Sequence, residues 1–122
     1  MLREIKNVQQ IAGEKPRRWF FSHEADLLVW FGEDGMPFAF QLAYGKYREE
    51  HAIRWKTGVG FEHYKVDTGV YGRELPLLVA DGIFPAGKVI EQFQKLAAEV
   101  PSNIVDFICA RLREHPEFGD DS

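Results

Sequence analysis

The sequence predicts an α+β fold, an antiparallel β-meander of about five to six strands with two C-terminal helices packed on one face. Three observations predict it. From Arg17 to Asp67, short runs rich in aromatic and β-branched residues alternate with Gly-containing breaks, as neighbouring antiparallel strands do. From Pro85 onward the apolar residues recur at spacings of three and four, which is the helical period. Strands come first and helices last, so repeated βαβ units are excluded and the helices form one layer over the sheet.

Residues 2–12 fit either a helix face (Leu2, Ile5, Val8, Ala12) or a strand (Ile5, Asn7, Gln9, Ile11), and the strand is preferred. Gly13 to Pro16 breaks the chain before the aromatic strand Arg17–Phe21. The hairpin Asp26–Tyr44 then organises the sheet. Its Asp34-Gly35 pair suits a type I′ turn, which needs positive φ at both central residues. That turn pairs Phe31 with Phe38, Val29 with Phe40 and Leu27 with Leu42, and these six apolar residues share one face, here face A. Face B carries Leu28, Trp30, Ala39, Gln41 and Ala43. A three-residue loop His23–Ala25 pairs Arg18 with Trp30 and Phe20 with Leu28 on face B, sending Trp19 and Phe21 to face A.

After the polar loop Gly45–Glu50, His51–Lys56 alternates as a half-buried strand, with Ile53 and Trp55 on face A and Arg54 and Lys56 on face B. Phe61–Asp67 returns from the turn Thr57–Gly60. Two registers are open for this hairpin: a Gly58-Val59 type II′ turn, or a longer loop that sets Arg54 against Glu62. Residues 68–76 read as loop, and Leu77–Ala80 is a short apolar segment, a buried strand or a plug. A helix over about 86–99 has Pro85 near its start and Val89, Ile90, Phe93, Leu96 and Ala97 on its apolar face. Pro101 ends it. Ser102 then caps a second helix over about 102–114, with Ile104, Val105, Ile108, Cys109 and Leu112 inward and Arg111 and Arg113 near its C-terminus, where cations suit the dipole. His115-Pro116 stops that helix, and 116–122 is a tail.

A chain of 122 residues, 45% hydrophobic and 14% aromatic, suffices for one domain with its own core, so 1–122 is read as a single domain. No run approaches the roughly 18 apolar residues of a membrane span, and the start lacks a signal-peptide pattern, so the expected address is the cytoplasm. The single Cys109 excludes an internal disulfide and suits a reducing compartment. A net charge of −4 argues against non-specific nucleic-acid binding.

Catalytic and nucleotide signatures are absent: there is no Gly-x-Gly-x-x-Gly, phosphate loop, Gly-x-Ser-x-Gly or His-Glu-x-x-His. The turn His23-Glu24-Ala25-Asp26 has metal-ligand residue types, but surface turns commonly have this composition, and no metal or cofactor is expected. His51 and His63 lie on neighbouring strands. His63 with Asp67 or Glu62 supplies the types for a general base oriented by a carboxylate, the chemistry of a small hydrolase or isomerase. His115 reads as a helix terminator. The more coherent group is Arg18, Trp30, Gln41 and Arg54 on face B, floored by Ala39 and Ala43, because an aromatic ring flanked by guanidinium groups suits a carboxylate, a phosphate or a planar ligand.

The stretches Arg17–Phe20, Asp26–Trp30, Phe40–Tyr44, Gly60–Asp67 and Val79–Gly82 resemble a small family of uncharacterised bacterial proteins with no established function. The resemblance implies a bacterial domain and assigns no activity, cofactor or catalytic residue. The expectation is therefore a cytosolic module that binds a small anionic or aromatic ligand, or a protein segment, on face B. A small enzyme at His63 is the alternative, and a structural partner or a homodimer through an exposed sheet edge is another.

Overall fold

The computed structural model describes residues 1–6, 15–46, 50–67, 77–80 and 84–116, without the side chains of residues 66, 67 and 77–80. Its strands are β1 (Arg3–Glu4), β2 (Arg17–Phe21), β3 (Ala25–Phe31), β4 (Pro37–Tyr44), β5 (His51–Lys56), β6 (Gly60–Asp67) and β7 (Leu77–Ala80), followed by helices α1 (Ala86–Leu96) and α2 (Ser102–Arg113). Among the described residues the strands form one seven-stranded sheet in chain order, each antiparallel to the next. The α+β fold expected from the sequence is thus the one observed; of the strand preferred within 2–12, Arg3–Glu4 forms β1 and residues 7–12 lie outside the described residues, and of the two options for Leu77–Ala80 the strand is the one found, as β7.

The core lies between face A and the two helices. Phe20, Leu27, Val29, Phe40, Leu42 and Ile53 from the sheet are buried against Val89, Ile90 and Phe93 of α1 and Ile104, Ile108 and Leu112 of α2. Helical spacing sets those six helix positions on inward-facing stripes, which is why a chain of this composition assembles one two-layer core. Leu2 is fully buried beside them, and its N–H donates to Leu96 O at 2.7 Å, satisfying one orphan carbonyl at the end of α1.

The central hairpin closes differently from the sequence expectation. Gly35 N–H donates to Gly32 O (3.0 Å), Gly32 N–H to Met36 O (2.9 Å), and Asp34 Oδ1 accepts from Met36 N–H (2.9 Å), so the turn sits one residue earlier than a type I′ turn on Asp34-Gly35. Gly35 takes the left-handed conformation, φ 77°, that follows a three-residue hairpin loop. The extra residue forms a bulge: Phe31 faces Pro37, Trp30 faces Ala39, and Phe38 falls between them, outside the core cluster. Beyond the bulge the expected pairs Val29–Phe40 and Leu27–Leu42 hold.

The β2–β3 register is also shifted. Ser22, buried at the turn, accepts the N–H groups of Glu24 (3.2 Å) and Ala25 (2.9 Å) on its Oγ and donates from it to Ala25 O (3.0 Å). This closes a two-residue loop, His23-Glu24, in place of the expected three. Arg18 therefore faces Val29, Trp19 faces Leu28 and Phe20 faces Leu27. A slip of one residue exchanges the faces, so Phe20 and Arg18 lie on face A, and Trp19 and Phe21 on face B.

In the β5–β6 hairpin Arg54 faces Glu62, the longer-loop register, with Val59 N–H on Lys56 O (3.0 Å) and Gly58 at φ 82°. Ser102 is not a cap: Pro101 precedes α2, makes no side-chain cap bond, and its carbonyl accepts from Ile104 and Val105 N–H. The first helix ends at Leu96 rather than near 99.

Candidate functional site

Face B is built by strand alternation alone, and the registers arrange it in three rows across the sheet. One row carries Arg17, Trp30, Ala39 and Lys56, with Gly60 at its end. The next carries Trp19, Leu28, Gln41, Arg54 and Glu62, and the third Phe21, Asp26, Ala43, Ala52 and Tyr64. Along β4 the face-B residues are two small, buried alanines, Ala39 and Ala43, with Gln41 between them bonded to Arg54. On either side stand Leu28 and Trp30 on β3 and Arg54 and Lys56 on β5. This strip along β4, with an apolar aromatic side and a side carrying Arg54 and Lys56, is called the trough below. Both described helices lie on the other face, and Trp19 and Phe21 are 36% and 40% exposed.

The walls are held by local contacts. Arg54 donates from Nε (3.0 Å) and Nη2 (2.7 Å) to Gln41 Oε1 and lies over the Tyr64 ring at 5.7 Å. Tyr64 donates its hydroxyl to Glu62, and that bond to the carboxylate pushes the phenol's pKa up. At the other end of the trough, Lys46 donates to Asp26 Oδ1 and Ser22 O, both at 3.1 Å, and its ammonium sits 4.4 Å from the Phe21 ring centre. Burial raises the Glu50 carboxyl, with Lys46 opposing the rise and Asp26 adding to it. Along the trough Lys46 pairs with Asp26 at one end, Arg54 faces Glu62 in the middle row, and Lys56 stands exposed at the other end.

Of the residues expected to bind, Trp30, Gln41 and Arg54 share the trough. Arg18 does not. It lies on face A near the sheet edge, where its Nε and Nη2 donate to Glu4 Oε2 (2.8 Å) and Oε1 (2.6 Å), raising the guanidinium and lowering the carboxyl. Arg18 also lines, with Arg17, Pro16 and the Phe31–Gly35 turn, a depression of about 430 Å3 at the end of the sheet. Trp19 enters face B unforeseen, beside the expected Leu28, and the signal that places Trp19 there is Ser22, a residue able to close the tighter turn.

A second group occupies the margin of face A. Tyr44 OH and His63 Nε2 are 2.6 Å apart, and the Tyr44, His51 and His63 rings stack, with His51 and His63 centroids 5.3 Å apart. Fully buried Phe84 touches both Tyr44 and His63 and reaches His115 at 4.8 Å, and His115 also meets Phe61 at 4.7 Å. His115 is therefore part of this packed group as well as the end of α2. Glu62 lies on the opposite face from His63 and bonds Tyr64, so it does not orient the His63 ring. The Asp67 side chain lies outside the described residues.

No protein-family model matches the chain, and no curated protein or solved structure matches it either. The residues alone carry the assignment. In the β2–β3 turn His23, Glu24 and Asp26 diverge: His23 edges onto Phe21, Glu24 approaches the N-terminal amine at 3.9 Å, and Asp26 takes Lys46. Among the described residues no group of three or more His, Cys, Asp and Glu is placed to hold a metal ion, and no helix is long and apolar enough to cross a membrane. Cys109 is buried in the core, and burial pushes its thiol up, which suits packing rather than nucleophilic use.

Proposed function

We propose that the chain is a cytosolic binding module whose ligand site is the face-B trough along β4. The observation that carries this reading is the pairing of an apolar aromatic wall, Leu28 and Trp30, with a cationic wall, Arg54 and Lys56, on the sheet face away from the helices. An anionic group bonds the second wall while apolar or planar surface covers the first, and the Arg54–Gln41 bonds hold the guanidinium ready. The chemistry is recognition, with no bond made or broken. A second reading, acid–base catalysis at His63, is favoured by the short Tyr44–His63 contact and weakened by Glu62 lying on the other face.

A nitrogen-15 chemical-shift screen with small aromatic carboxylates and sulfonates separates the two readings. Shifts clustered on Leu28, Trp30, Gln41 and Arg54 support the trough. Shifts clustered on Tyr44, His51 and His63 transfer the site to the margin of face A, and their absence at millimolar probe from both places overturns binding at the trough.

A further inference from the structure

We infer that β2 is a strand with two registers, and that a slip of one residue against β3 carries Trp19 and Phe21 from face B to face A while Arg18 and Phe20 move the other way. The doubled residues of Arg17-Arg18-Trp19-Phe20-Phe21 make the two arrangements chemically alike. In the observed register Phe20 faces Leu27, Trp19 faces Leu28 and Arg17 faces Trp30. After the slip Phe21 faces Leu27, Phe20 faces Leu28 and Arg18 faces Trp30. A Phe replaces a Phe, an aromatic an aromatic and an Arg an Arg. The residue class changes at two places. Opposite Val29, which is fully buried, the charged Arg18 gives way to Trp19; opposite Asp26, the 40% exposed Phe21 gives way to Ser22. Both changes put apolar surface on the core face, and a register is weakly specified where a slip keeps the pattern.

A short set of polar contacts holds the observed register against that gain. Ser22 Oγ accepts from Glu24 and Ala25 N–H and donates to Ala25 O, and these bonds belong to the two-residue loop; a three-residue loop, His23–Ala25, takes Ala25 out of the ladder and breaks them. Arg18 bonds Glu4 through Nε and Nη2, and the Lys46 ammonium lies 4.4 Å from the Phe21 ring centre; the slip removes both. On its outer side β2 is gripped by β1 at two pairs, Arg3–Phe21 and Glu4–Phe20, and by Ile5 N–H on Trp19 O at 2.8 Å. Hydroxyl and guanidinium bonds on one side thus oppose apolar burial on the other, the balance that leaves a second state populated. The slip decides whether the Trp19 and Phe21 rings are displayed on face B or covered on face A, so anything that grips those rings selects the observed register.

Cross-linking reads the register directly, because residues directly opposite in an antiparallel pair lie within disulfide reach and residues on opposite faces do not. The double variant Arg17→Cys, Trp30→Cys joins the observed pair. Arg17→Cys, Phe31→Cys joins residues that are opposite only after the slip. Each is oxidised with glutathione in the full chain, the bond is mapped by peptide mass spectrometry, and circular dichroism checks the fold. The expected result is a fast Arg17–Trp30 bond and a slower Arg17–Phe31 bond whose rate rises at least fivefold when Ser22→Ala or Glu4→Gln is added. In the unsubstituted chain, nitrogen-15 relaxation dispersion and saturation transfer are expected to show the amides of Arg17–Phe21 exchanging together with a minor state, whose population Ser22→Ala raises at least fivefold. Exchange without the Arg17–Phe31 bond means fraying of the edge and overturns the inference. So does an Arg17–Phe31 bond that neither substitution accelerates, or an absence of exchange in both the unsubstituted chain and Ser22→Ala.

Discussion

Two adjacent phenylalanines decide which face of the sheet is the core. Phe20 is 0% exposed and faces Leu27, while Phe21 is 40% exposed and faces Asp26. Burying a Phe side chain contributes about 1.5–3 kcal/mol, and the cavity left by truncation brings the loss for Phe20→Ala to about 3–5 kcal/mol. Phe21→Ala forfeits partial burial and the Lys46 ammonium over its ring, together about 1 kcal/mol. Urea unfolding followed by far-ultraviolet circular dichroism measures both. With a slope of about 2 kcal/mol/M, the Phe20 variant loses about 2 M in midpoint and the Phe21 variant about 0.5 M. A loss for Phe21→Ala equal to or above that for Phe20→Ala restores the three-residue loop, moves Trp19 into the core and dismantles the face-B trough described above.

Three further outcomes follow from the same geometry. Ser22→Ala leaves two turn N–H groups without their acceptor and costs about 1–3 kcal/mol in the same unfolding assay, whereas a change below about 0.3 kcal/mol would remove Ser22 as the cause of the register. Glu50→Gln raises stability at pH 7: its carboxyl is raised in the folded state, so stability falls as pH rises from about the ordinary value of 4.5 through the folded one, and the amide abolishes that loss. Thermal melts of the two proteins therefore converge below pH 4. Glu4→Gln acts with the opposite sign, because Arg18 depresses the Glu4 carboxyl and its contribution is present above 4.5 and lost as pH falls through the folded value; the variant is less stable at pH 7, and melts converge at low pH.

Much of the fold is written in local pattern. The period change near Pro85 and the alternation in His51–Lys56 are dictated by which residues face the core, and both elements stand where that pattern puts them. Turns are less legible, because each depends on a choice between loops of nearly equal cost. Asp34-Gly35 carries a strong I′ signal, yet the observed turn keeps Gly35 at positive φ and shifts the closure by one residue, with Pro37, which has no N–H, absorbing the bulge. At Ser22 the same one-residue ambiguity decides the site, since it moves Arg18 off face B and brings Trp19 onto it. Trp30, Gln41 and Arg54 were readable because their registers depend on the β3–β4 and β4–β5 pairings, which large buried side chains enforce. His115 was hidden: its partners Phe61 and Phe84 are distant in sequence, and no local period links them.

The asymmetry of the two faces follows from dimensions. Seven strands about 4.8 Å apart make a sheet some 29 Å across, and two helices side by side cover about 20 Å of it. The helix layer therefore shields the middle of face A and leaves its margins wetter. Face A carries polar groups at its β1–β2 edge, the Arg18–Glu4 pair, and at the strand ends from β4 to β6, where the Tyr44–His51–His63 stack packs against Phe84 just ahead of α1. A histidine at such a margin keeps a polar edge while its ring fills the layer, so the stack is explained by packing before any catalytic role is invoked. Face B has no matching explanation. Trp19 and Phe21 stand partly exposed there, away from the described helices, on a chain whose core is supplied from face A, and their open aromatic surface is one that binding can use.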